Sequence, residues 1–84
     1  MRTRTQIYNS LLKYQVDLSF GTEIAVLKHS NWNDARVVLD YGCGNAYFSY
    51  CLSQKYPNKM FYCCDRDEDI LNVGQFTERM NLVR

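Results

Sequence analysis

The stretch from Val37 to Ala46, VVLDYGCGNA, constrains this chain more than any other. A continuous apolar run, Val37-Val38-Leu39, suits a strand covered on both faces, as in parallel sheets. The run ends on an acid, Asp40, and passes into two glycines, Gly42 and Gly44, one residue apart. Glycine removes a side chain where backbone must approach something closely, and it admits positive φ at no steric cost. A second segment, Lys59 to Asp65 (KMFYCCD), repeats the plan of an apolar run closed by an acid. The residues between and after these segments carry helical spacing. The predicted unit is strand–helix–strand–helix, with a ligand site where the first strand meets its glycine loop.

The rest of the chain is read around that unit. Residues 1–5 are expected to be disordered, with Arg2 and Arg4 in a solvated tail. Ile7, Leu11, Leu12 and Val16 form a helical stripe that predicts a helix over 6–16. Asp17 to Thr22 reads as a turn at Gly21, after which Thr22 caps a second helix reaching about Ser30. Asn31, Asn33 and Asp34 mark a loop with Trp32 packed beneath it. The first strand is expected over 36–40 and a helix over 46–56, with Phe48, Leu52 and Tyr56 on its sheet-facing side. Pro57-Asn58 stops that helix, and the second strand is expected over 60–64. Asp67 then caps a last helix, with Glu68 and Asp69 favourably placed at its positive end. Ile70, Leu71, Val73, Phe76 and Met80 supply its apolar side as it runs to the end of the sequence at Arg84, leaving no third strand.

Composition narrows the functional classes. Eighty-four residues make one domain at most, and a domain this short is marginal in the surface it can bury. Ten basic and nine acidic side chains leave a formal charge of +1, which gives no electrostatic reason to expect nucleic acid or an anionic membrane as partner. No apolar run approaches a membrane span and no leader opens the chain, so a cytoplasmic location is expected. Cys43, Cys51, Cys63 and Cys64 make no CxxC pair, and His29 is the only histidine. No metal site is therefore expected, and the thiols should be reduced.

Three kinds of site use a glycine loop between strand and helix. A phosphate-binding loop ends in Gly-Lys-Ser/Thr, whereas residues 41–54 contain neither lysine nor arginine. A dinucleotide fingerprint needs a third small residue five positions after the first glycine, and here that position is Tyr47, a bulky ring. What remains is a glycine–x–glycine–x–small pattern, with Ala46 in the last position and Asp40 two residues before Gly42.

VVLDYGCGNAYFS followed by FYCCD resembles motifs I and II of class I S-adenosylmethionine-dependent methyltransferases. The resemblance covers most of the chain. It implies an α/β, partial Rossmann-like methyltransferase fold: N-terminal helices over 6–30 as a lid region, then β-α-β-α over 36–84 with a parallel strand pair. The implied cofactor is S-adenosyl-L-methionine. The backbone of Tyr41, Gly42, Cys43 and Gly44 would hold its methionyl end, with Asp40 acting near that cationic group. Asp65 would accept both ribose hydroxyls, and Arg66 and Asp67 would border the adenine. Family members usually carry an apolar residue where Arg66 stands. The family's acceptor-binding and proton-removing groups come from later strands, so no catalytic residue is assigned and the methyl acceptor, a small molecule among the options, is unidentified. The chain reads as the N-terminal portion of a longer enzyme. Alone it is expected to be inactive, to bind the cofactor weakly or not at all, and to self-associate or pair with missing strands through its bare sheet edges.

Each assignment has a structural counterpart. The glycines could serve only a strand-to-helix turn, Asp65 only a helix cap, and Asp40 only a buried acceptor. Tyr8, Tyr14 and Phe20 could line a ligand pocket as a lid or belong to the core. A catalytic thiol at Cys43 is not expected, because nothing near it in sequence would lower its pKa. Two other functional classes stay open: a non-catalytic Rossmann-like interaction module, and a fragment of a nicotinamide-dependent oxidoreductase, which Tyr47 disfavours.

Overall fold

The computed structural model describes residues 3–83. Its elements run α1 (Arg4–Leu27), β1 (Val37–Tyr41), α2 (Tyr47–Lys55), β2 (Met60–Cys64), α3 (Glu68–Asn72) and β3 (Met80–Leu82). The strands form one parallel sheet in the order β1-β2-β3.

The first difference from expectation is α1, one helix of 24 residues where two were expected. It begins with a capping box. The Thr3 hydroxyl accepts from the Gln6 N–H and the Gln6 side chain accepts from the Thr3 N–H. Residues 3–5 are thus ordered, while 1 and 2 lie outside the described residues. No turn interrupts the helix at 17–22. Gly21 keeps an ordinary helical φ, at a cost of about 1 kcal/mol relative to alanine. Packing on both sides of that glycine overrides it: Phe20 meets Phe48 of α2 edge-on with centroids 5.8 Å apart, and Ile24 is buried in the core.

Trp32 is buried as expected, in the loop after α1. Its ring meets Tyr56 edge-on at 5.2 Å and carries the Lys59 ammonium 4.5 Å from its centroid. Lys59 is itself buried and donates to the carbonyls of Trp32 and Ala35. A single lysine at the foot of β2 therefore ties the whole connection to the sheet.

The second difference is the end of the chain. The expected helix from Asp67 stops at Asn72, and a third strand follows. Asp67 caps α3 as expected, accepting from the Ile70 N–H at 3.2 Å. Gly74 lies where the chain passes the glycine loop: a Cβ there would sit 2.5 Å from the Asn45 carbonyl oxygen. Backbone against backbone at that distance admits only glycine. Beyond it, Met80 pairs with Phe61 and the Val83 N–H donates to the Cys63 carbonyl. Phe76 and Met80 reach the core from a loop and a strand, not from a helical stripe.

The third difference is coverage of the sheet. Val38 and Asp40 are half-buried, whereas Val37, Leu39 and Tyr41 are 63%, 65% and 85% exposed. The core of Ile24, Trp32, Ala46, Leu52, Phe61, Cys63 and Met80 lies on the other side. The apolar run of β1 is covered on one face only. Among the described residues no helix is long and apolar enough to cross a membrane.

Candidate ligand site

The carboxyl ends of β1 and β2 lie side by side, with Tyr41 opposite Cys64. There the chain makes its glycine loop. Gly42 and Gly44 have φ of 74° and 60°, so both need the left-handed region. Their surroundings divide their roles. A Cβ at Gly42 would meet nothing within 4 Å, so this glycine faces open space. A Cβ at Gly44 would lie 3.4 Å from a methyl of Leu12, so this one faces α1. Ala46 also has a φ of 60° and is fully buried. An alanine in that region costs roughly 1–2 kcal/mol, which explains why the third position of the pattern favours glycine.

Asp65 closes the loop. One carboxylate oxygen accepts from the Gly44 N–H at 2.8 Å and the other from the Asp67 N–H at 2.9 Å. These two bonds, the Asp67 one foremost, hold the Asp65 carboxyl below the ordinary carboxylate value. Each oxygen keeps further acceptor capacity.

A cleft of about 630 Å³ opens beside the loop, lined by Tyr41, Gly42, Cys64, Asp65, Arg66 and Val83. Its size falls within the range of small-molecule sites. Four of the eight expected site residues therefore meet at one opening: Tyr41, Gly42, Asp65 and Arg66. The other four lie apart from it. Asp40 faces α2, where it accepts from the buried Ser49 hydroxyl at 2.7 Å. Burial raises its carboxyl above the ordinary value; Ser49 opposes that rise and the Asp65 charge adds to it. Cys43 packs on the core. Its thiol is pushed up, chiefly by its hydrogen bond with Cys63, and the same bond draws Cys63 down. Gly44 backs onto α1, and Asp67 lines a second cavity with Arg4, Ile7, Tyr8, Leu11 and Ile70, between α1 and α3. Of the expected lid aromatics, Tyr8 borders that second cavity, Phe20 packs on Phe48 and Tyr14 is exposed.

The loop's N–H groups are not open to a ligand in the way its sequence suggests. Those of Gly42 and Cys43 donate to the Cys64 carbonyl, and those of Gly44, Ala46 and Tyr47 donate to Asp65, the Cys43 carbonyl and the Asn45 side chain. With two carboxylates nearby, the loop is a poor cradle for phosphate and a suitable one for a cationic group.

Three contributors escaped the sequence reading. Val83 was hidden because β3 was. Cys64 lines the cleft as the last residue of β2. Asn45 is buried beneath the loop and bonds to Asn9 of α1; the motif marks it only as the residue between glycine and alanine.

No family model and no curated protein sequence matches this chain. Fold and site together define a mixed α/β protein on a three-stranded parallel sheet, with an acid-bordered glycine loop at its carboxyl end.

Proposed function

We propose that this chain is the S-adenosylmethionine-binding portion of a class I methyltransferase with a Rossmann-like fold, acting in the cytoplasm on an unidentified acceptor. One observation carries the reading. A glycine facing open space and an ionised acid at the end of the neighbouring strand share one cleft with Arg66, and the glycine loop itself carries no cationic side chain. That set fits the cofactor, which has a sulfonium, an ammonium, a carboxylate and a ribose but no phosphate. When bound, the cofactor supplies a methyl group on its sulfonium sulfur, whose carbon is open to in-line attack by the acceptor with the thioether leaving.

The residues present hold and orient. Asp65 would take the ribose hydroxyls on its remaining acceptor sites. Gly42 would let the ligand approach the backbone. Tyr41 and Val83 would border it with apolar surface, and Arg66 would lie along the adenine. Asp40, bound to Ser49, would act near the methionyl end through the loop that follows it. Removal of a proton from the acceptor is assigned to none of these groups.

Titration calorimetry with S-adenosylhomocysteine, NAD and ATP tests the reading. Weak saturable binding of S-adenosylhomocysteine alone is expected. Binding of NAD in its place would revive the oxidoreductase.

One observation favours a second reading, a non-catalytic module that pairs through its sheet: the exposed face of Val37, Leu39 and Tyr41. Sedimentation run beside the titration separates the two: a defined oligomer that takes up no S-adenosylhomocysteine favours the module, and saturable uptake favours the cofactor-binding reading.

A further inference from the structure

We propose that Asn9 of α1 is a positioning residue for the glycine loop, setting ligand affinity without touching the ligand. The inference rests on the function proposed above and adds a second layer to that site.

Asn45 sits between Gly44 and Ala46, both at positive φ, and is buried. Its side-chain NH₂ donates to the Asn9 side-chain oxygen at 2.6 Å and lies 3.4 Å from the Asn9 carbonyl. Its side-chain oxygen accepts from the Tyr47 N–H at 3.0 Å. The amide of Asn45 is thus fixed at both ends, one by α1 and one by the first residue of α2. A backbone in an uncommon conformation persists when its surroundings over-determine it, and here α1 provides that restraint. Leu12, three residues on from Asn9, lies against Gly44. Asp17, about two turns on from Asn9, accepts from the Tyr47 hydroxyl at 2.9 Å. On the far side the close passage of Gly74 confines the Asn45 carbonyl. The loop is therefore held between α1 and the segment before β3.

The consequence reaches the cleft. The Gly44 N–H that Asp65 accepts belongs to the residue just before Asn45, and Gly42 lines the opening two residues earlier. If Asn45 is released, Gly44 loses its placement against Asp65, and the carboxylate loses one of the two bonds that aim it. Asn9 does not line the cleft, so its effect passes entirely through Asn45.

Amide hydrogen exchange on the ligand-free protein tests this directly, comparing wild type, Asn9→Leu and Asn9→Asp. Asn9→Leu removes the acceptor; Asn9→Asp keeps it. The expectation is exchange at Gly44 and Tyr47 faster by about tenfold or more in Asn9→Leu, the ratio that follows from losing about 1.4 kcal/mol. Exchange at Phe61 in β2 should not change, and Asn9→Asp should restore the wild-type pattern. S-adenosylhomocysteine affinity should fall in Asn9→Leu and recover in Asn9→Asp. Should Asn9→Leu not fold, Asn9→Ala carries the same comparison, with no acceptor, no added bulk and the best helix propensity. Unchanged exchange at Gly44 and Tyr47 in a folded variant overturns the inference, as does equal acceleration throughout the sheet. Failure of the wild type to bind S-adenosylhomocysteine would overturn the proposed function instead, and the exchange result would still decide the role of Asn9.

Discussion

The Asp65 carboxylate accepts the Gly44 N–H at 2.8 Å across 21 positions of sequence. That bond joins the two acid-ended strands at the point where their loops could meet a ligand. It makes Asp65 both part of the fold and the leading candidate for ligand recognition, and the two roles respond differently to substitution.

Asp65→Ala should lower stability at neutral pH by about 1 kcal/mol, less than a buried charge-assisted bond because solvent screens the carboxylate. Thermal unfolding should register this as roughly 4–8 °C. The sign of the pH dependence follows from the depressed carboxyl. Its stabilisation is present above the ordinary carboxylate pKa and is lost as pH falls through the lower folded value. Wild type and Asp65→Ala should therefore converge in acid. A constant gap at every pH would assign the effect to packing.

Asp40 behaves in the opposite way. Its carboxyl is raised, mainly by burial, so the fold favours its protonated form, and that advantage disappears as pH rises through the folded value. Asp40→Asn keeps an acceptor for the Ser49 hydroxyl without the buried charge. At neutral pH it should unfold at a temperature equal to or above that of wild type. A clear loss of stability would show that the charge itself is needed.

The glycines should separate by role. Gly74→Ala places a methyl 2.5 Å from the Asn45 carbonyl oxygen and should cost more than about 3 kcal/mol, among the larger single-residue effects. Gly42→Ala meets no atom and pays only for its positive φ, about 1–2 kcal/mol. It should nonetheless weaken ligand binding, because the new methyl enters the cleft. Denaturant titration of both variants checks the order.

Lys59→Met should destabilise by about 1–3 kcal/mol. The change leaves the Ala35 carbonyl without its donor, the cost of one unpaired buried group, while the Trp32 carbonyl, which also loses the ammonium, keeps the Ala35 N–H. Tryptophan fluorescence should report it, since the ammonium lies over the Trp32 ring.

Much of this arrangement was legible in the sequence. The spacing of Asp40, Gly42, Gly44 and Asp65 located both strand ends, and β2 falls where its apolar run predicts. Pro57 marked the end of α2, and Asp67 the start of α3. The errors have specific causes. Asp17, Ser19 and Gly21 carry turn chemistry, but Phe20 and Ile24 pack on either side of Gly21 and keep α1 continuous. Thr3-Arg4-Thr5-Gln6 held a capping box that the charged tail obscured. Val73, Phe76 and Met80 fit a helical stripe by spacing alone, because the constraint that breaks it, Gly74 against Asn45, is tertiary. The alternation of β1 between exposed and half-buried cannot be read from three apolar residues in a row. Asn9 gave no signal, since its partner is 36 positions away.

The central claim is most directly tested by mapping S-adenosylhomocysteine onto the chain by amide NMR, in wild type and in Asp65→Ala. The account predicts concentration-dependent shifts centred on Gly42, Cys64, Asp65 and Arg66 that vanish in Asp65→Ala, with none produced by NAD or ATP. Shifts elsewhere, or none at millimolar ligand on a folded protein, would contradict it.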